Sequence, residues 1–146
     1  MTFKIILSKI KRDSNRTEHI FQLLLIAGSG SVDIAQMLIN RGADIEAIDK
    51  RNKTPLHWAS ESGRTQMVRY LVEEGAEKDA VSYNNSTPMH LALTFAFVET
   101  ATCLVDLGAN TNIKDFMNET PYEMAFAKGF QALVNYIDTR IEMDFE

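Results

Sequence analysis

Three tetrapeptides recur 33 residues apart: Thr54-Pro55-Leu56-His57, Thr87-Pro88-Met89-His90 and Thr120-Pro121-Tyr122-Glu123. That fixed interval constrains the fold more than any single residue does. A period of this length describes a stack of similar units, each burying its apolar face against the next. Such a stack exposes a long surface and encloses no pocket for chemistry.

Each unit has a physical logic. Thr54 is suited to N-cap a helix, because its hydroxyl accepts a bond from an orphan backbone N–H. Pro55 then takes the first helical position, where a missing N–H costs nothing. Leu56, Trp58 and Ala59 give this short helix its apolar contacts, and Gly63 ends it in a left-handed conformation. Met67, Val68, Leu71 and Val72 fall at the spacing of a second helix. Gly75 closes that helix and Ala76 starts an extended return. One period later Met89, Leu91 and Ala92, then Ala101, Leu104 and Val105, repeat the pattern up to Gly108-Ala109. Met124 and Ala125, then Leu133, Val134 and Ile137, repeat it again. Gly30, Ile34, Ala35, Leu38, Ile39 and Gly42-Ala43 fit one period earlier, without an insertion or deletion.

These residues resemble the ankyrin repeat family: the T-P-L-H motif, the helix-ending glycines and the Gly-Ala before the return are its signature. The resemblance runs from about Thr17 to Asp138. It implies an all-α solenoid of stacked helix-turn-helix units with hairpin-like loops projecting between them. The implied division is a basic segment or half-repeat at 1–16 and repeats at 17–49, 50–82 and 83–115. A C-terminal capping repeat at 116–138 and an acidic tail at 139–146 complete it. Departures fall at the ends. Phe21-Gln22-Leu23-Leu24 replaces the first motif, Glu123 replaces the last histidine, and Asp138 stands at a usually apolar position. Atypical ends are expected of caps. The apolar run Leu23–Ile26 is a poor cap by itself and calls for a cover. Three readings of the start stay open: Met1–Ser8 as the second helix of a half-repeat, a plain tail, or a first helix beginning upstream of Phe21 and capped by Thr17.

Composition sets the outer bounds. A chain of 146 residues with 45% hydrophobic content suffices for one domain. The net charge of −5 argues weakly against a nucleic-acid partner. Charge is uneven, with five Lys or Arg against one Asp in residues 1–16 and four acids against Arg140 from Asp138 onward. The basic start is read as a solvated end, with contact to RNA or an acidic partner as the sharper alternative. No run is long enough to span a membrane, and the apolar stretch at Ile5–Leu7 is too short for a secretory signal. Cys103 stands alone, which excludes an internal disulfide; a packing role and a reducing compartment, cytosol or nucleus, are expected.

The tempting sites read as structure. His57 and His90 sit in adjacent repeats, and packed helices lie about 8–10 Å apart, too far for both to ligate one zinc at about 2.0–2.1 Å. The resemblance implies that each bonds its own motif threonine and a neighbouring backbone. Asn52, Asn85 and Asn118 form a second 33-residue series where the family usually has glycine. Asparagine tolerates the left-handed conformation, and the N-x-T sequons that result are read as turn chemistry. Asn112 matches a position that some oxygenases hydroxylate in that family, though Asn110 replaces the usual acid upstream; a loop hydrogen bond is the plainer reading. There is no phosphate loop, nucleophile elbow or metal-spaced cluster, so no cofactor and no enzymatic activity are expected. Glu61 and Asp33 have no evident partner group.

A partner surface follows from the resemblance, which places it on loop tips and on the outer face of each first helix. The tips are Lys50, Arg51 and Lys53, then Tyr83, Asn84 and Ser86, then Phe116, Met117 and Glu119. The helix positions are Glu61, Ser62 and Thr65, then Thr94, Phe95 and Val98, then Ala127, Lys128 and Gln131. All are expected to be exposed. Tyr83, Phe95, Phe116 and Met117 would make one apolar strip, extended by Phe97, beside a basic tip that steers an acidic segment. The competing reading packs Phe95 and Phe116 into grooves between repeats. The expected function is a non-enzymatic protein-protein interaction module that binds a protein or peptide. Rival readings are a regulatory inhibitor of an enzyme and an ankyrin segment of a larger channel, receptor or effector. The sequence is silent on oligomeric state.

Overall fold

In the computed structural model, the backbone is described for residues 16–145 and the side chains for residues 21–145. The expectations for Met1–Ser8 and for the basic start fall outside the described residues. Among the described residues eight helices follow in order: α1 (Arg16–Ser29), α2 (Val32–Asn40), α3 (Pro55–Glu61), α4 (Thr65–Glu73), α5 (Pro88–Thr94), α6 (Val98–Asp106), α7 (Pro121–Ala127) and α8 (Gln131–Asp144). No strand occurs among the described residues. The first helix is under way at Arg16, so Thr17 does not open it.

The starts of α3, α5 and α7 follow from their first four residues. Thr54, Thr87 and Thr120 are extended N-caps whose hydroxyls accept from the N–H of residues 57, 90 and 123, with proline at the first helical position. A side chain reaches back each time to the threonine N–H: His57, His90 and then Glu123. Two orphan donors are met reciprocally, so a helix of only seven residues is held at its start. The ends are set by left-handed residues. Gly42, Gly75 and Gly108 close α2, α4 and α6, and Gly30, Gly63, Ala96 and Gly129 close α1, α3, α5 and α7.

The eight helices form four antiparallel pairs, each packed on the next. One row is α1, α3, α5 and α7; the other is α2, α4, α6 and α8. A single apolar cluster runs from Leu23 and Ile26 through Leu56, Leu71 and Leu104 to Ile137. Leu23, Leu24 and Ile26 are buried, whereas Leu25 faces outward. The expected all-α solenoid is therefore what the chain forms. Its core is a thin ribbon between rows, which places the loops between pairs at one side as a series of fingers.

Candidate interaction surface

Each finger is closed by its own polar residue. The Asp49 carboxylate accepts from the N–H groups of Arg51 and Lys53 at 2.8 and 2.9 Å, and the Asp115 carboxylate does the same for Met117 and Glu119. Ser82 replaces the acid in the middle finger and accepts from the Ser86 N–H at 3.3 Å. The turns need left-handed residues, and Asn52, Asn85 and Asn118 supply them at φ 60, 57 and 64°. The sequon asparagines are thus the corners of the fingers.

Neighbouring fingers are laddered. The Tyr83 N–H donates to the Arg51 carbonyl at 2.8 Å, and the Phe116 N–H donates to the Asn84 carbonyl at 3.0 Å. The ladder brings Lys50 and Arg51, Tyr83 and Asn84, and Phe116 and Met117 into one row of tips. Their side chains project into solvent, with Tyr83 84% exposed, Phe116 68% and Met117 63%. Ile48 and Val81, two residues ahead of Lys50 and Tyr83, are also exposed. The sequence reading missed both, although the same 33-residue spacing links them.

Phe95 and Phe97 are not part of that row. They flank the turn between α5 and α6, at the end of α5 opposite Thr87. Phe95 is half exposed, while the Phe97 ring lies against Gly63 of the preceding pair. The strip expected across all five apolar residues is therefore two separate groups. The competing expectation of Phe95 and Phe116 tucked into grooves also fails, since both are exposed.

Six further expected exposures are corrected. Lys53 is an ion-pair partner of Glu61, with 13% and 31% of their side chains exposed, and its ammonium lies 5.4 Å from the centre of the Trp58 ring. Glu61 thus has a partner after all. Val98 is half-buried and packs against the core. Ser62, Thr65 and Ser86 are half-buried too; the Thr65 hydroxyl meets that of Thr100 at 2.9 Å in the next pair. The basic tip is therefore Lys50 and Arg51 alone. Beneath it, burial opposes ionisation of Asp49. The Lys53 and Arg51 N–H groups, the Trp58 indole N–H and the Lys53 charge outweigh that, so its pKa lies below the ordinary value.

The two histidines knit adjacent fingers. His57 Nδ1 accepts from the Thr54 N–H at 3.1 Å, which leaves Nε2–H to donate to the Ser86 carbonyl at 2.9 Å. His90 repeats this with Thr87 and the Glu119 carbonyl at 3.1 and 2.9 Å. Both rings are buried and both nitrogens are engaged. Burial, aided by the Lys53 charge, holds the His57 pKa below its ordinary value.

Comparison with known proteins gives the same pattern a family. A family model described as ankyrin repeats, in three copies, matches residues 2–82 and 23–115. This chain belongs to the ankyrin repeat family. No curated protein matches it. The last helix pair of this ankyrin stack lies outside both matches, yet it keeps the motif proline and the threonine cap. Ankyrin repeats are generally protein–protein interaction modules.

The remaining candidates sit on this ankyrin scaffold as follows. Asn110 does what Glu77 and Asp44 do one and two periods earlier: its side chain accepts from the N–H two residues on, here that of Asn112 at 2.8 Å. Asn112 is exposed. Its counterparts Glu46 and Asp79 accept the Glu77 and Asn110 N–H groups across the junction. Cys103 is buried, which raises its thiol pKa and leaves it a small packing residue. No group of three or more potential metal ligands and no helix long and apolar enough to cross a membrane occurs among the described residues.

Proposed function

We propose that this ankyrin stack is a non-enzymatic binding module that takes a protein or peptide segment along its finger tips. One observation carries the reading: a laddered row of tips presents Tyr83, Phe116 and Met117 to solvent beside the cations of Lys50 and Arg51. Aromatic residues on a rigid frame bury area on binding with little loss of conformational freedom, and the flexible methionine adapts to the partner's contour. The two cations favour a partner segment that is apolar at the α7 end and acidic toward the α3 end. Phe95 and Phe97 then form a lesser contact at the far end of α5. A cytoplasmic or nuclear setting suits the unpaired cysteine.

Affinity capture from the native cell extract tests the reading. The wild-type chain is compared with a Tyr83→Ser, Phe116→Ser, Met117→Ser variant and with Phe95→Ala. Proteins retained by the wild type are expected to be lost by the tip variant, with its helical spectrum unchanged. Retention by the tip variant, or loss caused by Phe95→Ala alone, overturns it.

A further inference from the structure

The last described pair, α7 and α8, presents a surface unlike the internal junctions. At the two internal steps after the first, from α3 and α4 onward, the next unit meets three groups of the one before. The motif histidine donates from Nε2 to the following finger's carbonyl, at Ser86 and then Glu119. The carbonyls of Arg51 and Asn84 accept the next finger's N–H. The side chains of Ser60 and Leu93 are sealed, each 0% exposed.

In the last unit the three counterparts are Glu123, the Met117 carbonyl and Phe126. One Glu123 oxygen holds the Thr120 N–H at 2.9 Å, and the other has no partner among the described residues. The Met117 carbonyl also has no donor there. Phe126 is 64% exposed. A donor in the pattern has become an acceptor, and an aromatic ring has replaced a sealed side chain. Glu142 and Asp144 add negative charge on α8; of the two cations there, Arg140 turns back toward Asp106 and Lys128 caps the end of α7 opposite Glu123.

The geometry points to this end as a docking face for a basic, amphipathic segment of another protein. Cationic donors meet Glu123 and the Met117 carbonyl while an apolar side chain covers Phe126. Charge complementarity selects this occupant. Another repeat of the same design would set its finger carbonyl against the Glu123 carboxylate, acceptor to acceptor. Helix α8 also runs on through Ile141, where Gly42, Gly75 and Gly108 turn the chain out into a finger. This face shares only the Met117 backbone with the tips, and Glu123 and Phe126 belong to it alone, so either surface can fail alone.

The test uses the full chain and two synthetic probes, a peptide of Lys and Leu at amphipathic-helix spacing and its Glu–Leu counterpart. Backbone amide shifts locate binding. The Lys–Leu peptide is expected to move the resonances of Met117 and of Glu123 to Gly129, and the Glu–Leu peptide to move none of them. Phe126→Asp and Glu123→Gln each weaken binding about tenfold without lowering the melting temperature, because Phe126 is exposed and glutamine still completes the cap. Attraction to net charge alone predicts the reverse for Phe126→Asp, which adds an acid. Absent shifts, shifts confined to Tyr83 and Phe116, or unweakened variants overturn the proposal. So does sedimentation showing a dimer that Phe126→Asp dissociates, which would make the occupant a second copy.

Discussion

At the scale of single residues, the turn between the two helices of a pair shows how one side chain decides the role of another. Gly63 at φ 67° and Gly129 at φ 77° hold equivalent places, and Ala96 at φ 61° holds the one between them. A Cβ on Gly63 would stand 2.5 Å from the Phe97 ring, whereas a Cβ on Gly129 meets nothing within 4 Å. Left-handed strain costs about 1–2 kcal/mol at either site. Gly63→Ala loses roughly a further 1–3 kcal/mol by displacing the ring. Urea denaturation of the two variants measures the gap, and Phe97→Ala in the Gly63→Ala background should close it. Equal losses at the two glycines would mean that the ring has no seat there. Asn52, Asn85 and Asn118 were legible in the sequence because a left-handed corner admits few side chains. Ala96 was not, since alanine gives no local sign of that conformation and only the repeat forces it. Nor was the pairing of Lys53 with Glu61, which depends on how far a flexible chain reaches across a finger.

At the scale of elements, each short helix is held at its start by the capping box more than by its length. That makes His57 a polar joint between α3 and the next finger. Its ring is neutral in the fold: Nδ1 accepts the Thr54 N–H, and a proton there would remove the acceptor. Its folded pKa lies below the ordinary 6.5, chiefly through burial. On acidification the unfolded chain therefore takes up the proton first. The stabilisation is fully present above about 6.5 and is lost as pH falls from there toward the lowered folded value. Carboxylates titrate as well, so the informative quantity is a difference. Between about pH 7.5 and pH 5.5, around the ordinary histidine range, the urea midpoint of the wild type should fall further than that of His57→Gln. Parallel falls would show that this ring does not couple folding to pH. Elements were the most legible level, because the Thr-Pro start, the apolar spacing and the glycine stops point the same way within each unit. The finger ladder was less so: its hydrogen bonds join residues 32 apart, and no local pattern displays them.

At the scale of the whole molecule, stability is a chain of junctions and not the property of one centre. Inner pairs have a neighbour on both sides. In the outer row the junctions of α2 with α4 and of α6 with α8 are thinner than that of α4 with α6. The last pair is tied back by Tyr136 and Arg140, which both reach Asp106. An exposed ion pair of that kind adds only about 0–1 kcal/mol. The His90 bond to the Glu119 carbonyl holds the finger that leads into α7, and no such bond reaches α8. In a nearest-neighbour stack, a unit with one thin junction opens at a lower free energy than one held on both sides. Native-state amide exchange should therefore find the amides of α8 opening well below the global free energy, with those of α4, α5 and α6 near it. Asp106→Asn should lower protection in α8 and leave α4 unchanged. If α8 and α4 exchange at one common free energy, the four pairs unfold as a single cooperative block. The surfaces at the tips and at the α7–α8 end would then answer to one equilibrium, and a ligand at either would protect the whole chain equally. With a graded stack, a ligand at the α7–α8 end protects α8 first, because that is where opening is cheapest.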